Sequence, residues 1–235
     1  MGLVRFLAFA VLLVALLVFV VVPVVASPLL TQMVRDMGLE ADELEVSIES
    51  FDPSLFAGRT AKLRMQGTNV VLSPALVEEL DLTFGQVAFV ERTFESIRGE
   101  LRGVRVDAGG LTLNVSSVQI SGPAREASVA VHFNAQEAEE MLRDAARRAG
   151  IGLEEVRFVD GGVRVGLAGT EVRARVDVLG GALVLQPQAG PPMLLLQPAP
   201  SDPWRLSEAY VSSSGITVNG IVDATRLAQH LPVGP

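Results

Sequence analysis

The side chains that usually carry chemistry are sparse in this sequence and poorly placed for one another. Its 235 residues include two histidines and no cysteine. His132 stands between Val131 and Phe133 in an alternating stretch, which puts it on the wet face of a strand, and His230 lies in the tail. Neither has a second histidine at metal-ligand spacing, and a general base needs a partner within reach. The absence of cysteine removes disulfides, thiolate metal sites and thiol nucleophiles together. There is no Gly-x-Ser-x-Gly elbow, no serine–lysine pair of the penicillin-binding kind and no glycine-rich phosphate loop before a helix. Glu137, Glu139, Glu140, Glu154 and Glu155 gather around one predicted helix. Paired carboxylates can cleave glycosides, but several of these fall on the solvated stripe of that helix. Asn114-Val115-Ser116 matches the glycosylation sequon, a short pattern that often arises by chance. These residues predict no enzyme, no metal and no cofactor.

Charge narrows the partners further. The chain carries 27 Asp+Glu against 19 Lys+Arg, a net charge of −8. Nucleic acid demands a basic surface, so this balance argues against it. It also argues against a body held on anionic lipid by charge alone. Of the basic residues only Lys62 is a lysine, which reads as genomic base composition rather than chemistry.

The amino terminus supplies the membrane signal. Phe6 through Ala26 is a run of 21 residues without a charge. Crossing a bilayer core takes about 20 apolar residues, whereas a secretory signal has a shorter apolar region and then a small-residue cleavage site. Val24-Val25-Ala26-Ser27 would serve as such a site. Residues 1–26 are therefore expected to be a transmembrane anchor or a signal peptide cleaved near Ala26. Arg5 is the only charge ahead of the run, so residues 27–235 should form an extracytoplasmic domain. That body is long enough to bury a core without disulfides.

Within the body, hydrophobic period identifies the elements. Ser27-Pro28 opens a short amphipathic helix with Leu29, Leu30, Met33, Val34 and Met37 at helical spacing, and Gly38 stops it. It would cover the core or lie on a bilayer, with Arg35 as its one basic residue against the latter. From residue 43 the period is two. Leu44, Val46 and Ile48 alternate with polar residues, as do Leu63 and Met65, and then Leu80, Leu82 and Phe84. Val87 and Phe89, Val104 and Val106, Leu111, Leu113 and Val115, Val118 and Ile120, and Val129 with Val131 and Phe133 continue the habit. Glu91–Gly99 fits a helical turn or a continuing strand. Such half-dry strands belong to antiparallel sheets. One interior helix breaks the series. Asn134 caps it, Glu137 completes a capping box, and Ala138, Met141, Leu142, Ala145 and Ala149 form its apolar stripe. Arg143, Arg147 and Arg148 fall in its later turns, and Gly150 closes it.

Strands resume at Val156 and Phe158, at Val163, Val165 and Leu167, at Val172 through Val178, and at Leu183 and Leu185. Asp160-Gly161-Gly162 and Gly180-Gly181 read as hairpin turns. Six prolines in residues 187–203 exclude a central strand around Met193-Leu194-Leu195-Leu196, leaving an edge strand or a loop. Tyr210, Ile216 and Val218 suggest one final strand before a short helical tail. Residues 105–113 and 157–165 echo each other, an apolar strand, an acidic-glycine turn and a second strand, which hairpin chemistry or a duplicated unit would both explain. The dry faces must cover something. They cover each other, as in a β-sandwich, or they wrap an acyl chain, whose burial is worth about 0.8 kcal/mol per CH₂.

Three stretches carry a resemblance. The opening helix with Gly38, the step from Asn134–Ala149 into Val156-Arg157-Phe158-Val159-Asp160-Gly161-Gly162-Val163-Arg164-Val165, and the late Ser214-Gly215-Ile216-Thr217-Val218-Asn219-Gly220 strand resemble the LmeA-like (DUF2993) phospholipid-binding family of bacterial envelopes. The resemblance covers about residues 28–225 and departs from the family in the Pro-rich stretch 187–203. It implies an α+β fold in which a curved antiparallel sheet wraps a helix, similar to the tubular lipid-binding architecture with its apolar tunnel. It implies extracytoplasmic binding or carriage of phospholipid or a related envelope lipid, and some members influence the maturation of envelope lipoglycans. No catalytic residue carries over. The expected lipid-facing wall is Met141, Leu142 and Ala145 on the helix, opposed by Leu111, Leu113, Val115, Phe158, Val163 and Val165. The rival expectation is an envelope scaffold that binds other proteins without lipid. A third, an envelope-polymer hydrolase or transferase, requires a convergent polar cluster in a cleft.

Overall fold

The computed structural model describes residues 41–48, 58–72, 75–88, 91, 93–108, 111–167, 169–188, 190–200 and 202–229. The expected anchor at 1–26, the amphipathic helix from Ser27, Phe89 and His230 lie outside these residues. Among the described residues no helix is long and apolar enough to cross a membrane.

Antiparallel strands dominate the body. A meander of long strands comes first: β1 (Glu43–Ile48), β2 (Arg59–Leu72), β3 (Ala75–Ala88), β4 (Ser96–Ala108), β5 (Leu111–Pro123) and β6 (Ala127–Asn134). Helix α1 (Ala135–Arg148) follows directly. Next come β7 (Val156–Val159), β8 (Gly162–Leu167), β9 (Thr170–Leu179), β10 (Ala182–Pro187) and β11 (Met193–Leu196). The chain ends in β12 (Trp204–Ser212), β13 (Gly215–Val222) and a short helix α2 (Ala224–Gln229). The strands make two sheets rather than one. The first has eight strands in the order β1-β2-β3-β4-β5-β6-β13-β12, and the second has five in the order β11-β10-β9-β8-β7.

Period two sets the faces. In β6, Ala127, Val129, Val131 and Phe133 are buried while the residues between them are not. Leu63, Met65, Leu80, Leu82, Phe84, Ile97 and Leu101 extend the same dry face across β2, β3 and β4. Phe94, just before β4, packs edge-on to Phe84 with ring centroids 5.3 Å apart, which anchors the start of that strand. The wet face carries cross-strand ion pairs. Arg64 donates from Nε and Nη2 to the two oxygens of Asp81 at 3.1 and 2.8 Å. The Asp81 carboxyl is held below the ordinary carboxylate range, chiefly by that hydrogen bond.

Several turns follow from their residues. Gly180 and Gly181 have φ of 59° and 80°, as a two-residue type I′ hairpin between β9 and β10 requires. The Pro-rich stretch does hold an edge strand, since among the described residues β11 pairs with β10 alone. One open alternative is resolved and one expectation changes. The ambiguous stretch from Glu91 holds a bridge between Thr93 and Ala88 and becomes strand at Ser96. The expected single final strand is a hairpin, with β12 paired to β13 and β13 inserted beside β6. Its turn lies in the polar run Ser212-Ser213-Ser214-Gly215, where no apolar alternation marks it. The sheets meet where β12 packs across β9 and touches β7, β8 and β10. Gly161 N donates to Val211 O at 3.0 Å, which ties the β7–β8 turn to β12. The apolar gap between the layers, lined by Val131, Phe133, Leu183 and Trp204 among others, measures about 20 Å³. That is room for roughly one water and not for an acyl chain.

Two outcomes are expected. Gly215 has φ 136°, and a Cβ there would collide with the Phe133 carbonyl oxygen. Gly215→Ala should lower unfolding free energy by more than about 1 kcal/mol in a urea titration. Asp81→Asn should cost under about 1 kcal/mol at neutral pH, because the pair is half-exposed. A depressed carboxyl stabilises above its unfolded pKa, so the parent's advantage should vanish as pH falls through the acidic range below the ordinary carboxylate value.

Candidate functional site

The one described interior helix also builds one wall of a large open groove. Asn134 Oδ1 accepts from Glu137 N at 3.0 Å, and Glu137 Oε2 accepts from Asn134 N at 2.8 Å, the capping box its sequence predicts. The same Oε2 accepts from Ser116 N at 3.0 Å and Ser116 Oγ at 2.7 Å. One carboxylate oxygen thus fastens the start of α1 to β5. The buried stripe is Ala138, Met141, Leu142, Ala145 and Ala146. Ala149, expected in that stripe, is the exposed C-cap, because the helix ends before that turn completes. The stripe packs on β5, β6 and β13 of the large sheet and on β11 of the small one.

Arg143 then folds the outgoing chain back. Its Nε donates to Glu139 Oε1 at 2.7 Å, its Nη1 to Leu153 O at 2.6 Å and its Nη2 to Glu154 O at 3.2 Å. Between α1, the returning loop, the start of β5 and β11 lies an open groove of about 1190 Å³. Its floor is aliphatic: Leu113, Met141, Ala145, Leu153, Leu195 and Leu196. Its lip carries Ile151 and Leu194, exposed at 40% and 52% where most large apolar side chains of the body are covered. Its charged end is α1's last turn. Arg147 Nη2 and Arg148 Nε stand 3.2 and 3.5 Å from the two oxygens of Asp144. Two guanidiniums share one carboxylate, and the Asp144 Oδ2 atom is buried without a hydrogen-bond donor among the described residues.

The structure divides the residues expected to face lipid. Leu113, Met141 and Ala145 meet in the groove. Leu142 and Val115 are fully buried beneath it and pack in the core. Val163 and Val165 are buried in the small sheet, and Phe158 packs half-buried against the same core. Leu111 opens β5 opposite Ala108. Not among the residues expected to line the groove are Leu153 on its floor and Ile151 and Leu194 on its lip. The four-residue apolar run at Met193 was a legible signal, but its neighbour across the groove was not.

The acidic residues near α1 have local partners. Glu137 is taken by the cap, Glu139 by Arg143, Glu154 by Gly169 N at 3.2 Å and Glu155 by Arg157. Glu140 accepts from Gln136 at 3.4 Å. His132 bonds Thr217 Oγ1 through Nδ1 at 3.0 Å on the half-buried face of β6. Among the described residues no group of three or more His, Asp and Glu is placed to hold a metal. The fold and groove define a predominantly antiparallel β body with one helix laid over it and an amphipathic cleft beside that helix. In comparisons with known proteins, no family model, no curated protein and no solved structure matches the chain.

Glu137→Ala should cost about 2–3 kcal/mol in unfolding free energy, because three donors lose their acceptor. Glu137→Gln, which keeps an acceptor oxygen, should recover part of that loss in the same urea titration.

Proposed function

We propose that this protein binds phospholipid or a related envelope lipid in the groove between α1 and β11, and that it acts by binding rather than catalysis. The observation that carries the reading is the groove's division into an aliphatic floor with exposed Leu194 at its lip and an arginine pair at one end. An acyl chain gains about 0.8 kcal/mol per buried CH₂ without needing directional contacts, which suits Leu113, Met141 and Ala145. A headgroup phosphate suits Arg147 and Arg148, which together carry one more charge than Asp144 neutralises. The long antiparallel sheet packed on a helix supports a likeness to the tubular lipid-binding architecture and to the LmeA-like family. The filled gap between the sheets favours the open groove over a tunnel between layers as the seat for a lipid. The uncharged run at residues 6–26 supports an extracytoplasmic place in the cell envelope, with the chain anchored there or released near Ala26.

The test is native mass spectrometry of the full chain in a non-ionic detergent. Bound phospholipid should survive detergent removal in the gas phase. Leu113→Asp and Leu194→Asp, chosen because neither side chain is fully buried, should each lower retention about tenfold with an unchanged melting temperature. A bare chain that refuses added phospholipid sinks the reading and favours a scaffold that uses the same lip for a protein partner.

A further inference from the structure

The outer face of the small sheet presents a second feature, away from the groove. Arg157, Arg164 and Arg173 stand directly opposite one another on the adjacent strands β7, β8 and β9. Like charges directly opposed across strands destabilise a sheet. Neighbouring strands lie only about 4.8 Å apart, so this row concentrates positive charge. Arg175 sits two residues further along β9, on the same exposed face as Arg173. This arrangement lies in a chain of net charge −8.

Acidic neighbours neutralise only part of the row. Arg157 Nη2 pairs with Glu155 at 2.7 Å, and Arg164 Nη1 reaches Glu171 at 3.4 Å. Arg164 Nε is buried and finds no acceptor among the described residues. The side chains of Arg173 and Arg175 have no hydrogen bond or ion pair there. Asp177 caps its own neighbour's N–H at Val178, and Asp160 accepts from Ser213 N at 3.3 Å. The face is also concave. Arg164, Arg173 and Arg175 line a hollow of about 590 Å³ between the Asp160-Gly161-Gly162 turn and the Gln186-Pro187-Gln188 end of β10.

We propose that this hollow is a phosphate-binding site, with Arg164, Arg173 and Arg175 as its ligands. Guanidinium forks match phosphate oxygens in pairs, and three of them from adjacent positions reach one tetrahedral anion. Gln186, exposed and paired with Arg175 across the strands, adds an amide donor. The anion offsets the repulsion that the row otherwise imposes; among the described residues no acidic side chain pairs with Arg173 or Arg175, although Glu171 and Asp177 flank them on β9. The chemistry fits a lipid headgroup phosphate and a soluble phosphate ester equally, and it stands whether or not the groove binds lipid.

Calorimetry on the full chain in a non-ionic detergent tests it with two probes at low ionic strength: inorganic phosphate, and detergent micelles with or without added phosphatidylglycerol. Saturable binding should weaken at least about tenfold in an Arg173→Gln, Arg175→Gln double variant. Melting temperature should hold or rise, because opposed charges are removed. Leu113→Asp should leave this binding unchanged, which separates it from the groove. Response to inorganic phosphate alone identifies a soluble ligand, and response to doped micelles over undoped ones identifies a headgroup. The proposal is overturned if neither probe binds, if the double variant binds as the parent does, or if that variant loses stability, which would make the arginines structural.

Discussion

Burial of the α1 stripe is the constraint on which the arrangement depends. A helix of 14 residues has little stability of its own in water and needs an apolar surface to lie on. The large sheet supplies that surface through β5, β6 and β13, and β11 of the small sheet meets the helix from its other side. Leu142, Ala138 and Ala146 take the deepest positions, and small alanines let the backbone lie close to the strands. Glu137 then fixes where along β5 the helix begins. The sheets also meet directly through β12, so α1 is a second brace across the same junction.

The groove is a by-product of that brace. A cylinder laid beside a sheet edge leaves a furrow wherever its stripe is narrower than the space offered. Here Met141 and Ala145 are at the margin of the stripe, and β11 is a short edge strand between prolines. Proline keeps further strands from closing the furrow, since it cannot continue a ladder. Arg143 holds the outgoing loop against the helix, with Leu153 on the floor and Ile151 at the rim. The cationic end arises from the basic residues that suit the helix's C-terminal dipole, while the aliphatic floor is shared by Met141 and Ala145 of the helix, Leu113 of β5 and Leu195 and Leu196 of β11.

Most of the element order was legible because the pattern is local. Alternation over β2 to β6, the capping box at Asn134 and the glycine pair at 180–181 each state their structure within a few residues. The β12–β13 hairpin was not legible as two strands. Its first strand carries a bulge between Leu206 and Glu208, so the core-facing side chains shift from Trp204 and Leu206 to Ala209 and Val211 and the period of two breaks. Among the residues expected to face lipid, apolar character picked out Leu113, Met141 and Ala145, which line the groove, and equally Leu142, Val115, Val163 and Val165, which are buried in the core. Hydrophobicity reports that a side chain avoids water; it does not report whether protein or ligand replaces the water.

By itself the sequence determined the absence of cysteine chemistry, the antiparallel strands and the capped helix, since each rests on residue type and short spacing. Tertiary structure decided the division into two sheets, the insertion of β13 beside β6 and the placing of Leu113 and Leu194 on one groove beside α1. It also decided which arginines face one another across β7, β8 and β9. Those outcomes depend on register and on strands far apart in the chain, where pairing is chosen by the packing of whole faces and not by any local run of residues.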